Sequence, residues 1–234
     1  MLSKSKSLLW LGLSTLAASS QAVEIDDYND GAFDSGAITP TSSYIQTTSA
    51  PGAWGGGRTH VVYGQNAGSA TARVGVDPSA GVYTARMDNG VTNGFTEIVY
   101  GRPFIDFQGD LRPNTHINVT IESTTQPLQV LVGLRGPASA TLASFTSSFQ
   151  QIAPTSTPVT LSFNLGNGFD QQNYNHLFGQ AQQLFIDFSN PGSGNGTSAV
   201  DVRVSGVQAV PEPLTLGVMA TGVALLGLRR RRKS

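Results

Sequence analysis

Three stretches of this chain alternate apolar and polar residues with a period of two. Leu161, Phe163 and Leu165 fall on one side, with Ser162 and Asn164 opposite. Val200, Val202 and Val204 face one way, with Asp201, Arg203 and Ser205 the other; Leu128, Val130, Val132 and Leu134 repeat the pattern. Successive side chains of a strand point to opposite faces, so this spacing reads as half-buried strands and not as helix. One apolar face per strand means that each sheet packs on one side, which is how a sandwich is built. Further strand candidates are Arg58–Tyr63, Ala70–Val76, Val82–Met87, Phe95–Tyr100, His116–Glu122, Thr141–Phe149 and Gln183–Phe188. Turn signals separate them, among them Asp77-Pro78, Asn89-Gly90, Gly136-Pro137 and Asn190-Pro191-Gly192. The spacing predicts an all-β fold of eight to ten antiparallel strands in a two-sheet sandwich of jelly-roll type. Only Asp170 to Gln180 reads as a helical turn, and no internal repeat is found.

The chain has no cysteine. Disulfides, thiol nucleophiles and cysteine-ligated metals are therefore excluded, and the core alone has to stabilise the domain. Only 12% of the residues are charged. Gly, Ser, Thr, Asn and Gln are abundant, a composition of short strands and many turns.

Both ends read as addresses. Residues 1–22 carry Lys4 and Lys6, an apolar core from Leu8 to Ala18, and Ser20-Gln21-Ala22. A basic start, a short apolar core and a small-x-small end make a signal peptide cut after Ala22, with Ala18 or Ser19 as the alternative sites. At the other end, residues 211–234 begin with Pro211-Glu212-Pro213. An uncharged run, Leu214 to Leu228, follows, and Arg229, Arg230, Arg231, Arg232 and Lys233 close it. The two prolines hold Glu212 on extended backbone, the form in which peptide substrates are commonly read. As a helix the apolar run reaches roughly 22 Å, short of a ~30 Å hydrocarbon core, and snorkelling arginine stems extend it. Positive charge beside a span stays cytoplasmic, so the tail predicts a C-terminal transmembrane helix with the main domain, residues 23–210, outside. Gln208-Ala209-Val210 is expected to be the whole linker.

The motif, the short span and the arginine cluster, in this order at this end, resemble the PEP-CTERM sorting signal of exosortase-processed bacterial proteins. The resemblance covers about 25 of the 234 residues. It implies export, transient single-pass anchoring in the inner membrane, and recognition at Pro211, Glu212 and Pro213. It also implies cleavage by a membrane-embedded sorting protease, and a destination at the cell surface or in an extracellular polysaccharide matrix. The tail does not fix what the exported domain does.

Residues 23–210 hold 14 acids, seven arginines and no lysine, a net charge of −7. Nucleic acid is a poor partner for such a surface. Asp26, Asp27 and Asp30, with Asp201 as a distant partner, offer oxygen ligands for a structural Ca²⁺. An EF-hand alignment fails, because its third and twelfth positions would be Tyr28 and Ala37. The competing and favoured reading is a set of solvated acids with Asx-turn chemistry, needing no cofactor. Trp54, Arg58, Tyr63 and Tyr83 are the candidate ligand contacts: aromatic rings to stack on a sugar, a guanidinium to bind a hydroxyl or carboxylate. The alternative for Ala53-Trp54-Gly55-Gly56-Gly57 is a tight turn into a long strand with Trp54 in the core. The Ser/Thr-rich Thr39 to Ser49 is read as a flexible or O-modified surface segment. Asp106 and Asp110 are the candidate carboxylate pair for a hydrolase, one of many such pairs that 14 acids offer. His60, His116 and His176 lie too far apart for a zinc motif. The leading expectation is a non-enzymatic exported surface or matrix protein; the alternative is a carbohydrate-binding module, and an extracellular hydrolase comes third.

Overall fold

The computed structural model describes residues 22–40, 43–65, 68–101, 110–112, 114, 116–136, 144–165, 177–192 and 199–211. Fourteen strands run through them: β1 Val23–Asp26, β2 Phe33–Asp34, β3 Ser43–Ser49, β4 Gly57–Gln65, β5 Ala72–Asp77, β6 Val82–Met87, β7 Thr92–Tyr100, β8 His116–Thr124, β9 Leu128–Arg135, β10 Ser144–Thr146, β11 Gln150–Ile152, β12 Val159–Asn164, β13 Gln183–Ser189 and β14 Val200–Val210. They form two seven-stranded sheets. Sheet A has the order β12-β8-β14-β6-β5-β2, with β1 also on β14; sheet B has the order β10-β9-β13-β7-β4-β3, with β11 also on β9. Every strand pairing is antiparallel. Among the described residues, only 177–179 are helical.

The alternation drives the assembly. Val202, Val204 and Val207 of β14, Leu128, Val130, Val132 and Leu134 of β9, and Leu184, Ile186 and Phe188 of β13 are all buried in one core. Each such side chain contributes roughly 1.5–3 kcal/mol on leaving water. β13 lies between β7 and β9, and β14 between β6 and β8, so strands from the end of the chain sit inside sheets begun by its first half.

Four strands escape the sequence pattern. β2 has two residues, β11 has three, and β1 contains two acids. β3 corrects the reading of Thr39 to Ser49 as a flexible segment: Ser43–Ser49 pairs residue for residue with Tyr63–Gly57 of β4. It is rich in β-branched side chains but carries no continuous apolar face, so only its neighbour makes it a strand. The expected linker is corrected too. Gln208, Ala209 and Val210 are the end of β14 and pair with Asn118, Ile117 and His116. Residues 1–21 of the expected leader and 212–234 of the expected tail lie outside the described residues. Among the described residues, no helix is long and apolar enough to cross a membrane.

Candidate functional site

The acidic start of the domain is a lock, not a metal site. Arg58, on the inner face of β4, has no exposed surface, and neither has Asp26. The Arg58 guanidinium donates to both Asp26 carboxylate oxygens at 2.5 Å, to Asp30 O at 2.8 Å and to Asp30 Oδ1 at 3.2 Å. It also lies 5.2 Å from the Tyr28 ring centre, whose hydroxyl is hydrogen-bonded to that of Tyr100. A planar fork meeting a carboxylate in this way satisfies both groups away from water. Gly31, at φ 63, lets the chain pass over: a Cβ there would meet Ser49 O at 2.7 Å and Arg58 Nη1 at 2.8 Å. Gly52 N donates to Asp30 at 2.5 Å and Trp54 N to Ile25 O at 2.8 Å, so the β3–β4 turn is stitched to the same segment.

These contacts correct the Ca²⁺ expectation. Asp26 is spent on Arg58, and Asp27 is exposed and accepts from Asn29, which lowers its pKa. Asp201 accepts from Thr125 and lies six residues along β14 from Val207, the partner of Asp26; that is about 20 Å at strand rise. Among the described residues, no group of three His, Asp or Glu could hold a metal ion. Two candidate ligand contacts are corrected as well: Arg58 and Tyr83 are both completely buried. Trp54 is half-buried against the core, at a turn where Gly55 and Gly56 have φ of 81° and 70°. Asp110 binds Arg112, and Asp106 and His176 lie outside the described residues.

Tyr63 alone of the four points to a built surface. The alternation that sends Ile186 and Phe188 inward sends Phe185, Asp187 and Ser189 to the solvent face of sheet B. Register then fixes the neighbours. In one row across the sheet stand Gln129, Ser189, Phe95, Tyr63 and Ser43. The next row is Leu131, Asp187, Glu97, Val61 and Ile45, and the one beyond it includes Gly133, Phe185, Val99 and Thr59. The Tyr63 and Phe95 rings stack at 5.3 Å, both half-buried, and Gln65 Nε2 donates to the Tyr63 hydroxyl at 2.8 Å.

Beside this stack lies a carboxyl pair in apolar surroundings. Val99, Leu131 and Phe185, with Val61, form an apolar cluster separate from the core. Phe185 lies flat on Gly133, where a Cβ would come within 2.1 Å of the ring, and the Arg135 guanidinium covers it at 4.7 Å. Arg135 also donates to Gln183 at 3.1 Å. Within this setting Asp187 and Glu97 are direct cross-strand neighbours. Burial first, and then the Glu97 carboxyl, push the Asp187 pKa well above the usual carboxylate range, with Arg135 opposing. Two carboxylates in contact do not both ionise readily. Burial therefore favours the protonated form of the Asp187 carboxyl, which sits beside Glu97 among aromatic rings. The sequence signal for this pair is an acid inside a largely apolar run, in Leu184 to Phe188 and in Phe95 to Val99.

The outer face of sheet A is different. A groove of about 500 Å³ there is lined by Asp34, Arg73, Thr84, Arg86, Asp201 and Arg203, over the gap at Gly75. Its charges are matched locally, Arg73 with Asp34, Arg86 with Asp88 and Arg203 with Glu122, and among the described residues Phe33 is its one aromatic lining residue.

No family model matches the chain, and no curated protein matches its sequence. Among solved structures, a family 11 carbohydrate-binding module from Clostridium thermocellum, in complex with a beta-1,3-1,4-mixed-linked tetrasaccharide, is similar at 13% identity and a TM-score of 0.39. The match covers 81% of this chain and 95% of that one. A family 30 carbohydrate-binding module matches at 10% identity and a TM-score of 0.42, over 82% of this chain and 88% of that one. Scores at this level transfer neither a ligand nor a residue role.

Proposed function

We propose that the domain is a non-catalytic polysaccharide-binding module, and that the solvent face of sheet B is its binding face. The observation that carries this reading is the Tyr63–Phe95 stack set one row from the Asp187–Glu97 pair. Sugar rings pair an apolar face with a rim of hydroxyls. Such a ligand suits aromatic faces flanked by donors and acceptors. Asp187, Glu97, Gln65, Gln129 and Arg135 supply the polar partners on the same face. Affinity electrophoresis against a panel of soluble polysaccharides tests the reading. Tyr63→Ala is expected to weaken binding to the retained polysaccharide about tenfold or more, while losing only the roughly 0.2–1 kcal/mol of its cross-strand stack on Phe95 in stability. Unaltered retention of that variant, or no retention of the parent by any of the panel, removes the reading.

For delivery we infer the route that the ends of the sequence describe: export, anchoring, and release near Pro211-Glu212-Pro213. One structural feature supports it. β1 starts at Val23, directly after the expected signal-peptide cut, and Val23 pairs with Ala209 next to the end of β14. Both tethers would then leave the domain at one place. Intact-mass spectrometry of the protein from the exported fraction of its host is expected to show a chain beginning at Val23 and ending near Val210 to Pro213. A mass that retains Arg229 to Lys233, found only in membranes, would count against release.

A further inference from the structure

Sheet edges are normally blunted, because a row of unpaired N–H and C=O groups invites another strand. Most edges of this molecule obey that rule. β2 has two residues, and β10 and β11 have three each. β12 follows Pro158, and Gln150 Nε2 reaches across to donate to Ser162 O at 2.6 Å. β3 is the exception. It has seven residues, it bonds to β4 on one side, and among the described residues it has no strand on the other. Ser43, Ile45, Gln46, Thr47 and Ser49 are exposed, Ile45 to 64%. No charged residue occurs anywhere between Ser35 and Gly57.

We propose that β3 is a homotypic docking edge, at which a second copy of this chain adds its own β3 antiparallel across a two-fold axis through Gln46. A two-fold contact sets Gln46 against its own copy and brings the residues beside it close to theirs, so a charge on or next to the axis would lie near a like charge; β3 has none. In this register Ile45 meets the partner's Thr47, Tyr44 meets the partner's Thr48, and Ser43 meets the partner's Ser49. Each pair joins β-branched, aromatic or small hydroxyl side chains, a combination that favours cross-strand packing. Main-chain hydrogen bonds supply the affinity, as in other strand additions. Ile45 stands in the row of Glu97 and Val61, so the two sheet B faces would merge into one surface. From strand spacing and rise, the two Tyr63 rings would lie about 25 Å apart on it. A surface carrying two copies of one binding face suits a repeating polymer, because the second contact becomes intramolecular.

Sedimentation equilibrium of the full chain is the test. The parent is expected to show a reversible, concentration-dependent dimer. Ile45→Lys with Thr47→Lys places like charges opposite one another twice, and the association constant should fall about 100-fold or more. Both positions are exposed, so the melting temperature should hold. Mixing this variant with Ile45→Glu, Thr47→Glu should restore a one-to-one dimer, which general damage to the fold would not do. A parent that is monomeric at all concentrations overturns the proposal. So does a Lys variant that dimerises like the parent, or a mixture that fails to pair. Tyr63 is untouched throughout, so the polysaccharide reading stands or falls separately.

Discussion

Replacing Asp26 by Ala is expected to destabilise the domain by about 3–5 kcal/mol, and Arg58→Ala by a similar amount. The reason is the uncompensated partner. Asp26 and Arg58 are both fully buried, and each satisfies the other through two bonds of 2.5 Å. Removing either strands a charge in the core, where no water replaces the lost bonds. The effect should exceed a normal surface change because more than the pair is lost. Arg58 also holds Asp30, and Asp30 holds Gly52, so β1 and the β3–β4 turn loosen together. Asp27→Ala, two atoms of chain away but exposed, is the control and should stay within about 0.5 kcal/mol. Urea denaturation measures both. If Asp26→Ala melted like Asp27→Ala, the lock would be a contact without energetic weight. Replacing Asp26 and Arg58 together by apolar residues of similar volume should recover much of the loss, since a buried ion pair is often no better than good apolar packing.

The second large effect is a stability that falls on both sides of mildly acid pH. His60 is buried, stacked on Phe33 at 4.3 Å and on Tyr83 at 5.9 Å, with Thr48 as its hydrogen-bond partner at Nε2. Its Nδ1 is buried with no hydrogen-bond partner among the described residues. Burial, and then the Arg58 charge, push its pKa down to about 3. The unfolded chain, with an ordinary imidazole near 6.5, therefore binds the proton first as pH falls. Stability present above ~6.5 is lost as pH drops from there towards 3, on the order of 3–5 kcal/mol in full. Asp187 acts in the opposite sense. Its pKa is raised in the folded state, so the folded chain holds a proton that the unfolded chain has released. Stability is full below the usual carboxylate range and declines as pH climbs from there through the raised value. Between about pH 4 and 6.5 the two effects oppose and largely cancel, so thermal melts across pH 3–9 should show a plateau there, with stability falling below about 4 and again from about 6.5 to 8. His60→Phe keeps the stack and should flatten the acid limb. Asp187→Asn should remove the alkaline limb and extend the acid limb up to about pH 6.5, because nothing then offsets the His60 effect. An acid limb of unchanged slope in His60→Phe would assign the loss to other groups.

Legibility in the sequence followed the strength of the period-two signal. Val82–Met87 coincides with β6, and the alternating stretches of β9, β12 and β14 were placed to within a few residues. Each of them buries one face, so the pattern is written into consecutive residues. β3 was missed because its side chains are mostly hydroxyls exposed on both faces. Nothing local in the sequence tells an inward tyrosine from an outward one at Tyr83; a core position stacked against Phe188 at 6.0 Å decides it. Arg58 and Asp26 were separated into a sugar contact and a metal ligand, since 32 residues of chain lie between them and only the fold joins them.

The sequence by itself determined the all-β class, the sandwich logic and the exclusion of disulfides. These depend on the order of apolar and polar residues and on residue types alone. Tertiary structure decided which polar residues became core, which strand was left as an open edge, and which acid faces which. Those outcomes depend on register between strands far apart in the chain. Glu97 and Asp187 became a pair only because β13 settled between β7 and β9.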